Sequence, residues 1–589
     1  MQLNYIDFIV IVLYLFINIA IGFVLRKKAT QSVDDFFVSG RSVPWWLAGT
    51  SMVATTFAAD TPLVVTGLVA KNGIAGNWIW WSFLFSGILT VFFFAKLWRR
   101  SEVLTDVEFV ELRYSGKAAS FLRYFRAIYL AIPVNLIIMG WVNLAMVKIL
   151  SMVLGIGKFE ALIITFGIMF ITTFISTLSG LWGVLWTDLF QFALIMTMVI
   201  LLAVFSVNNE GGMQVIVEKL KMIEQNSNYQ KDYLSFLPDL NSIWMPFIAF
   251  FVYIAINWWA SWYPGAEPGG GGYIAQRIFS AKNEKHSILA TLWFNVAHYV
   301  LRPWPWIIVA LVAVIRFHSA DWFLKDPESG YIKVMIQDLP SYFRGVMLAG
   351  FLAAYMSTIA TQLNWGASYI INDVFKKIYR NKSNKTYVTI SQLVTVLLMI
   401  FSCIVTYYLD SIAGAWKLLM SIGAGTGLVY ILRWYWWRIN AWSEISAMLA
   451  AFSSSILLQF VFGFNENNPK DFAYMILISV TFTTFVWIIV TYLTKPEDEN
   501  VLINFFKKVK PDATFWKPIL EKCSDVIPNY DIKENSLFFM LSIIFIYSLL
   551  FGVGNIILLN YFNGVILILL AAVIFIFLYR KLIKFYASN

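Results

Sequence analysis

Apolar runs long enough to cross a lipid bilayer recur along almost the whole chain, separated by short polar segments. A transmembrane α-helix needs about 20 predominantly apolar residues, and about 15 such runs occur here. The pattern therefore predicts an all-α polytopic membrane protein with about 15 transmembrane helices.

The composition supports this prediction. Of the 589 residues, 59% are hydrophobic and only 13% are charged, and the mean hydropathy is +0.70. The formal net charge is +10, and the basic residues lie in short loops between the apolar runs. This placement is typical of residues that set the orientation of membrane helices. It offers no continuous basic surface, so nucleic acid is not an expected partner. Their distribution predicts a multi-pass protein of the cell membrane, with the N-terminus outside and the C-terminus in the cytoplasm.

The apolar runs fall into groups divided by polar segments. We predict an extra N-terminal helix with an inner loop (1–43), five helices (44–207), an outer loop (208–240), five further helices (241–437) and accessory helices (438–589) that include an inner loop (495–535). Because a unit with an odd number of spans reverses its orientation when it is repeated, the two groups of five predict an inverted repeat.

The first helix of each group is irregular. The run from Trp45 to Val69 contains β-branched residues, Asp60 and Pro62 in mid-membrane, which favours local unwinding and frees backbone carbonyls. Its counterpart, Trp244 to Tyr263, leads into a segment rich in proline and glycine. Broken helices at corresponding positions indicate a substrate site, although a plain loop also explains the second segment.

One helical face carries small and hydroxyl-bearing side chains. Ala354, Ser357, Thr358 and Thr361 recur at spacings of three and four in an otherwise apolar span. Their oxygens suit a hard, partly dehydrated cation, for which sodium is the natural candidate. Alternatively, the small residues allow two membrane helices to pack closely.

Two acidic residues within apolar runs require an explanation, because a charge in the membrane is costly. Asp188 follows Trp186 and Thr187, and is expected either to hold a cation or to cap a helix at the membrane boundary. Asp60 is expected to pair with a basic residue, to shape the broken helix or to take part in an outer gate.

Asn295, His298 and Arg302 lie at offsets of three and four, which predicts a shared face turned toward protein or a water-filled cavity. His298 is a candidate contact for substrate hydroxyls, with Asn257 as a helper. The alternative is a structural hydrogen-bond network around Arg302. Lys417 lies near a span end and is expected to extend its ammonium group toward the membrane surface.

Sequence signatures of enzymes are missing. Gly269 to Gly272 follows no strand and has no Walker lysine, and the three histidines form no zinc motif. We therefore predict no catalytic residue and no enzyme activity, with a membrane-embedded transferase using His298 as the remaining enzyme alternative.

Four segments of the chain form a recognisable set. They are Ser42-Val43-Pro44-Trp45-Trp46, Trp186-Thr187-Asp188-Leu189-Phe190-Gln191, Tyr273-Ile274-Ala275-Gln276-Arg277 and Ala353-Ala354-Tyr355-Met356-Ser357-Thr358. Together they resemble the solute:sodium symporter family, which includes bacterial sodium/galactose and sodium/sialic acid transporters, and the resemblance covers most of Ile6 to Phe464. The Trp-rich tract from Leu432 to Glu444 looks like that of a distinct subgroup.

The resemblance implies a five-plus-five inverted-repeat core of the LeuT-like type with a sodium ion between two core helices. The implied ligands are the main-chain carbonyls of Ala54, Phe57 and Ala354 and the hydroxyls of Ser357 and Thr358. These agree with the hydroxyl face found from helical spacing.

A second sodium site is implied less completely. Asp188, Ser357 and Thr361 match the pattern of relatives that hold a second ion, while Ala360 stands where a hydroxyl would be. Asp188 and Thr361 are therefore possible ligands of a second sodium.

The resemblance also indicates substrate positions. His298 aligns with a sugar-contacting lysine, and Asn257 with a sugar-binding asparagine across an apparent insertion. Trp80 stands about where the cavity glutamate of galactose-type relatives would be. Together with Thr56 and Asn295, these residues form the predicted substrate site.

We therefore expect a sodium-coupled symporter that imports a small organic solute, with a sugar-like molecule favoured. The alternatives are a non-transporting sensor or a channel on the same fold.

Overall fold

In the computed structural model, the described residues are 5–29, 33–226, 232–263, 265–409, 411–523 and 525–587. They form helices joined by loops and contain no β-strand, only two isolated β-bridges. This confirms the predicted all-α membrane fold.

Fifteen segments correspond to the predicted membrane helices. Twelve are long and apolar enough to cross a bilayer, and the bent pair α2a and α2b gives a thirteenth. The remaining two are the short α7 and the divided α11. The segments are α1 Tyr5–Val24, α2a Trp45–Thr56, α2b Thr61–Asn72, α3 Ile74–Ser101, α4 Gly116–Leu154, α5 Lys158–Ser176, α6 Gly180–Asn209, α7 Phe247–Ala260, α8 Glu284–Phe317, α9 Phe343–Ile378, α10 Thr389–Tyr408, α11a Ile412–Ile422, α11b Gly427–Tyr435, α12 Ala441–Val461, α13 Pro469–Leu493, α14 Ile532–Ile557 and α15 Tyr561–Lys581.

Shorter helices lie in the connections. Of these, the helix Gly272–Ser280 matters most for the site because it follows the glycine-rich loop. The others include Val33–Val38, Phe109–Arg113, Met213–Asn226, Asp321–Lys325, Gly330–Asp338, Glu499–Val509 and Lys517–Leu520.

The second span is broken as predicted. Its two halves meet at an angle of 57° across the residues between Thr56 and Thr61. Pro62 begins the second half, where its missing N–H is not needed for a helical bond. The first half, α2a, packs against α6, α8 and α9, so the break lies at the centre of the helix bundle.

Several spans contain a turn of π-helix, in which the angular offset between residues differs from that of an α-helix. In α4 this turn includes Pro133, which cannot donate a backbone hydrogen bond. The π-turns are Thr90–Phe94, Leu130–Val134, Tyr253–Asn257, Ala297–Leu301, Tyr369–Phe375 and Leu457–Val461.

Candidate ion and solute site

The break in the second span faces the hydroxyl-bearing side of α9. The Thr358 hydroxyl lies 2.9 Å from the carbonyl oxygen of Thr55, near the end of α2a. It also lies 3.1 Å from the carbonyl oxygen of Ala354, one turn earlier on its own helix. Oxygens from two helices therefore meet where the chain leaves the helical path.

The other predicted sodium ligands lie at the end of α2a or on α9. The N–H of Phe57 donates to the carbonyl of Ala54 at 3.0 Å as the helix ends. The Ser357 hydroxyl donates to Asp188 at 2.6 Å, so only its lone pairs remain for a cation. All five predicted ligands are buried. Carbonyl and hydroxyl oxygens of this kind fit a hard monovalent cation.

Asp188 is buried inside α6 and does not cap a helix. The helix begins two turns earlier, after a kink at Gly180, so the capping alternative does not hold. The carboxylate accepts hydrogen bonds from Ser51 at 2.5 Å and from Ser357 at 2.6 Å. It also lies 3.7 Å from the guanidinium of Arg277, and both side chains are 0% exposed.

Arg277 is a central residue whose role the sequence did not indicate. Its guanidinium donates to the hydroxyls of Ser51 at 3.1 Å, Thr55 at 3.2 Å and Thr361 at 2.8 Å. It thus lies among the oxygens that were predicted to hold a second sodium with Asp188. A fixed organic cation already compensates this carboxylate.

A narrow cavity adjoins the sodium position. Its walls are mostly aromatic, with hydroxyl, amide and carboxylate groups between the rings. The lining includes Thr55, Thr56, Asp60, Trp80, Trp141, Tyr263, Tyr273, Phe294, His298, Tyr299, Thr358, Gln362 and Trp416. Since Thr55 and Thr358 belong to both places, a solute in the cavity would lie next to the ion.

The rings of the cavity pack in pairs. Trp80 stacks on Tyr299 with ring centroids 5.8 Å apart, and Tyr263 stacks on Phe83 at 4.5 Å. Trp416 contacts Tyr263 edge to face at 5.8 Å. The cavity volume is about 60 Å³, far below the roughly 300–1,000 Å³ of typical small-molecule sites. Solute binding therefore requires these rings to move.

Three polar atoms of the lining lack hydrogen-bond partners among the described residues: Asp60 Oδ1, Gln362 Oε1 and Trp416 Nε1. All three are buried, and buried polar groups without partners are uncommon in folded proteins. The Trp416 indole lies near the Asp60 carboxylate but outside hydrogen-bond geometry, so the three atoms offer two acceptors and one donor to a ligand. The sequence marked only Asp60, although Gln362 follows Thr358 by one helical turn and could have been found from that spacing.

His298 lines the cavity and is held by Arg302 and Thr56. Arg302 Nη1 lies 2.7 Å from His298 Nδ1, and Arg302 also donates to the Thr56 hydroxyl at 2.8 Å and to its carbonyl at 2.7 Å. Because a guanidinium only donates, Nδ1 must accept, which assigns the neutral tautomer with its proton on Nε2. The Arg302 guanidinium also lies 5.0 Å from the rings of Phe57 and Trp306.

The predicted substrate contacts Asn295 and Asn257 do not line this cavity, and their role as substrate contacts stays a prediction. The Asn295 amide contacts Gly87 so closely that a Cβ there would be 1.9 Å from Asn295 Oδ1. The Asn257 amide nitrogen lies 3.9 Å from the sulfur of Met420. The expected shared face assumed α-helical spacing, whereas the π-turn Ala297–Leu301 shifts His298 and Arg302 relative to Asn295.

Comparison with a solved structure shows the same fold. A Na⁺-coupled sialic acid symporter, in a substrate-bound outward-open state, matches with a TM-score of 0.65 and 18% sequence identity. The match covers 84% of this chain and 99% of that chain. The protein therefore has the LeuT-like fold.

Curated relatives are sodium-coupled carriers. A sodium/glucose cotransporter of Vibrio parahaemolyticus is 26% identical over 85% of this chain and 92% of its own length. Sodium/glucose cotransporter 1 of Mus musculus is 23% identical over 84% of this chain and 79% of its own length. The sodium/myo-inositol cotransporter of Homo sapiens is 22% identical over 90% of this chain and 79% of its own length. The model of the sodium:solute symporter family matches residues 36–451. The chain belongs to the sodium:solute symporter family.

Proposed function

We propose that this membrane protein imports a small, neutral, polyhydroxylated solute together with sodium, by alternating access. The observation that carries the proposal is the meeting of the Thr358 hydroxyl with the carbonyls of Thr55 and Ala354 at the break of the second span. Sodium would bind there to the carbonyls of Ala54, Phe57 and Ala354 and to the hydroxyls of Ser357 and Thr358. Transport of this kind needs no covalent chemistry.

The ion would couple to the solute through the broken helix. Sodium joins α2a to α9, so it stabilises the arrangement in which these two helices are held together. A ligand shifts a conformational equilibrium only by its differential affinity for the two states. A membrane potential that is negative inside would drive sodium inward with about 2.3 kcal/mol per charge per 100 mV.

The charges near the cavity favour a neutral solute. Asp60 lines the cavity. The buried Arg302 lies beside the cavity, and its hydrogen bonds among the described residues go to the neutral groups of Thr56, Val53 and His298. The charges of Asp60 and Arg302 sum to zero. The solute therefore needs neither a carboxylate nor an amine to balance the charge of its surroundings.

The polar and aromatic groups suit hydroxyls on a ring. Asp60 Oδ1 and Gln362 Oε1 can accept from hydroxyls, while Trp416 Nε1 and His298 Nε2 can donate to them. Flat aromatic surfaces such as Trp80 can pack against the apolar face of a sugar or cyclitol. The relatives named for glucose and myo-inositol support this class.

Uptake into proteoliposomes tests the proposal. We expect purified protein to concentrate labelled glucose or myo-inositol against its gradient when sodium is outside, and not when choline replaces sodium. Labelled proline, which is a zwitterion, and labelled succinate, which is a dianion, serve as solutes of other charge classes. Equal uptake in sodium and choline would contradict coupling, and sodium-driven uptake of only charged solutes would contradict the solute class. Binding without concentrative uptake would favour a sensor.

A further inference from the structure

Glu267 is a buried acid with no counter-ion among the described residues. It lies in the loop between α7 and the helix Gly272–Ser280 and is 4% exposed. Neither carboxylate oxygen accepts a hydrogen bond, and none of the ion pairs among the described residues includes it. The backbone N–H groups of Gly265 and of Glu267 itself lie near the carboxylate, but outside hydrogen-bond geometry.

Glycines bring the backbone close to this carboxylate. At Gly272, with φ of +59°, an added Cβ would lie 2.3 Å from Glu267 Oε1. At Gly270, with φ of +65°, an added Cβ would lie 2.8 Å from the side chain of Thr90. A positive φ favours glycine, and the tight contacts leave no room for a side chain. The loop is therefore built around Glu267.

A second carboxylate converges on the same glycines. Asp106 accepts a hydrogen bond from the N–H of Gly272 at 3.2 Å and another from the hydroxyl of Tyr369. An added Cβ at Gly271 would lie 3.1 Å from Asp106 Oδ2 and 3.5 Å from the Cβ of Glu267. A nearby like charge and burial both disfavour an uncompensated carboxylate. Glu267 therefore needs a cation or a proton.

The void beside Glu267 is lined by two threonine side chains as well as by glycines and apolar groups. Thr90 and Thr291 line it, and their hydroxyls donate to the carbonyls of Ser86 and Ser287 at 3.0 and 2.9 Å. Because these protons are used, the two hydroxyls can only accept in the void. Oxygen acceptors with one carboxylate are ligands that a hard cation prefers.

This void is next to the solute cavity. Gly265, Ala266 and Phe294 line both spaces. A change in the loop on solute binding would therefore alter the surroundings of Glu267. Binding of a ligand beside Glu267 can therefore be coupled to binding of a solute in the cavity, because the two spaces share these residues.

We propose that Glu267 is the anionic ligand of a second monovalent cation site, taken by sodium and separate from the position at Ser357 and Thr358. The inference rests on the proposed function, since the second ion would move with the same solute. The described residues contain no group of three or more His, Cys, Asp or Glu side chains able to hold a metal, so a divalent ion is not favoured.

Binding of sodium-22 to the purified protein tests both sites at once. We expect two sodium ions per wild-type protein, one for Glu267→Gln and one for Ser357→Ala with Thr358→Ala. Glutamine has nearly the shape of glutamate, so the variant removes charge with little change in packing.

Two further variants make the result specific. Glu267→Asp keeps the charge, and we expect it to bind two ions with weaker affinity than the wild type. Glu111→Gln removes a half-buried carboxylate that is already paired with Arg123 at 2.6 Å, and we expect it to bind two ions.

The possible outcomes separate the two claims. One ion per wild-type protein, or two ions in Glu267→Gln, would overturn the Glu267 site, and the first result would indicate a protonated carboxyl. Two ions in the Ser357/Thr358 variant with one in Glu267→Gln would leave the Glu267 site standing and overturn the main sodium position. If Glu267→Gln does not fold, Glu267→Asp decides, because unchanged affinity for both ions in that variant would overturn the Glu267 site.

Discussion

Asp188 and Glu267 are two buried carboxylates in the same helix bundle with opposite surroundings. Asp188 accepts hydrogen bonds from two serine hydroxyls and lies 3.7 Å from the guanidinium of Arg277. Glu267 accepts no hydrogen bond and has no ion pair among the described residues. Similar burial therefore does not mean a similar role.

The difference identifies which acid is free to bind an ion. In this structure Arg277 compensates Asp188, and with Ser51 the pair links α6, α2a and the helix Gly272–Ser280. Thr361, predicted as a possible second-sodium ligand with Asp188, accepts from the same guanidinium at 2.8 Å. We therefore propose that the Asp188 network is structural and that exchangeable cations bind elsewhere.

Removing Arg277 should have the largest effect. Arg277→Gln leaves Asp188 buried and unpaired, which we expect to cost about 3–5 kcal/mol of unfolding free energy. Denaturation in detergent measures this loss, with the exposed Arg380→Gln as a control. Adding Asp188→Asn should restore part of the stability. A loss below about 1 kcal/mol would show that the pair is not the structural element proposed.

Crowding Glu267 should have the next largest effect. In Gly272→Ala the new Cβ would meet Glu267 Oε1 at 2.3 Å in addition to the strain of positive φ. We expect a loss of about 2–4 kcal/mol. Gly155→Ala isolates the backbone cost, because Gly155 has φ of +68° and nothing within 4 Å of an added Cβ. Equal losses in the two variants would contradict a loop packed around Glu267.

Thr361→Ala should remove one acceptor of Arg277 without removing an ion ligand. We expect it to lower the unfolding free energy by about 1–2 kcal/mol. Sodium-22 binding should remain at the wild-type stoichiometry, and Thr361→Ser should restore stability. The loss of one bound sodium ion would instead locate the second ion at Asp188 and Thr361.

His298→Gln should have the smallest effect, limited to the solute. The loss of one hydrogen bond of about 0.5–1.5 kcal/mol corresponds to a rise in KM of roughly 3–10-fold. The sodium concentration for half-maximal uptake should stay unchanged, because His298 is not an ion ligand. An unchanged KM with altered sodium dependence would contradict the assignment of His298 to the solute cavity.

Local patterns allowed much of the geometry at the candidate ion site to be predicted. The polar, proline-containing stretch around Asp60 indicated the break in the second span, and helical spacing placed Ser357 and Thr358 on one face. The fold class followed from the recurring apolar runs. Each of these features depends on residues that are near one another in the chain.

Features that depend on tertiary packing were not predictable in this way. Arg277 and Asp188 come from distant segments, and no spacing rule brings them together. The π-turn Ala297–Leu301 does not appear in the hydrophobic period, so the separation of Asn295 from the cavity that His298 lines could not be predicted from spacing. Glu267 was overlooked because a glycine-rich segment is ordinarily expected to form an exposed loop.

The most direct test of the account is the sodium dependence of solute uptake into proteoliposomes for the wild type and for Ser357→Ala with Thr358→Ala. We predict that the wild type concentrates its solute only with sodium, and that the variant needs at least about tenfold more sodium, a change of about 1.4 kcal/mol, or does not transport. Identical sodium curves for the two proteins, or full uptake by the wild type in choline, would contradict it.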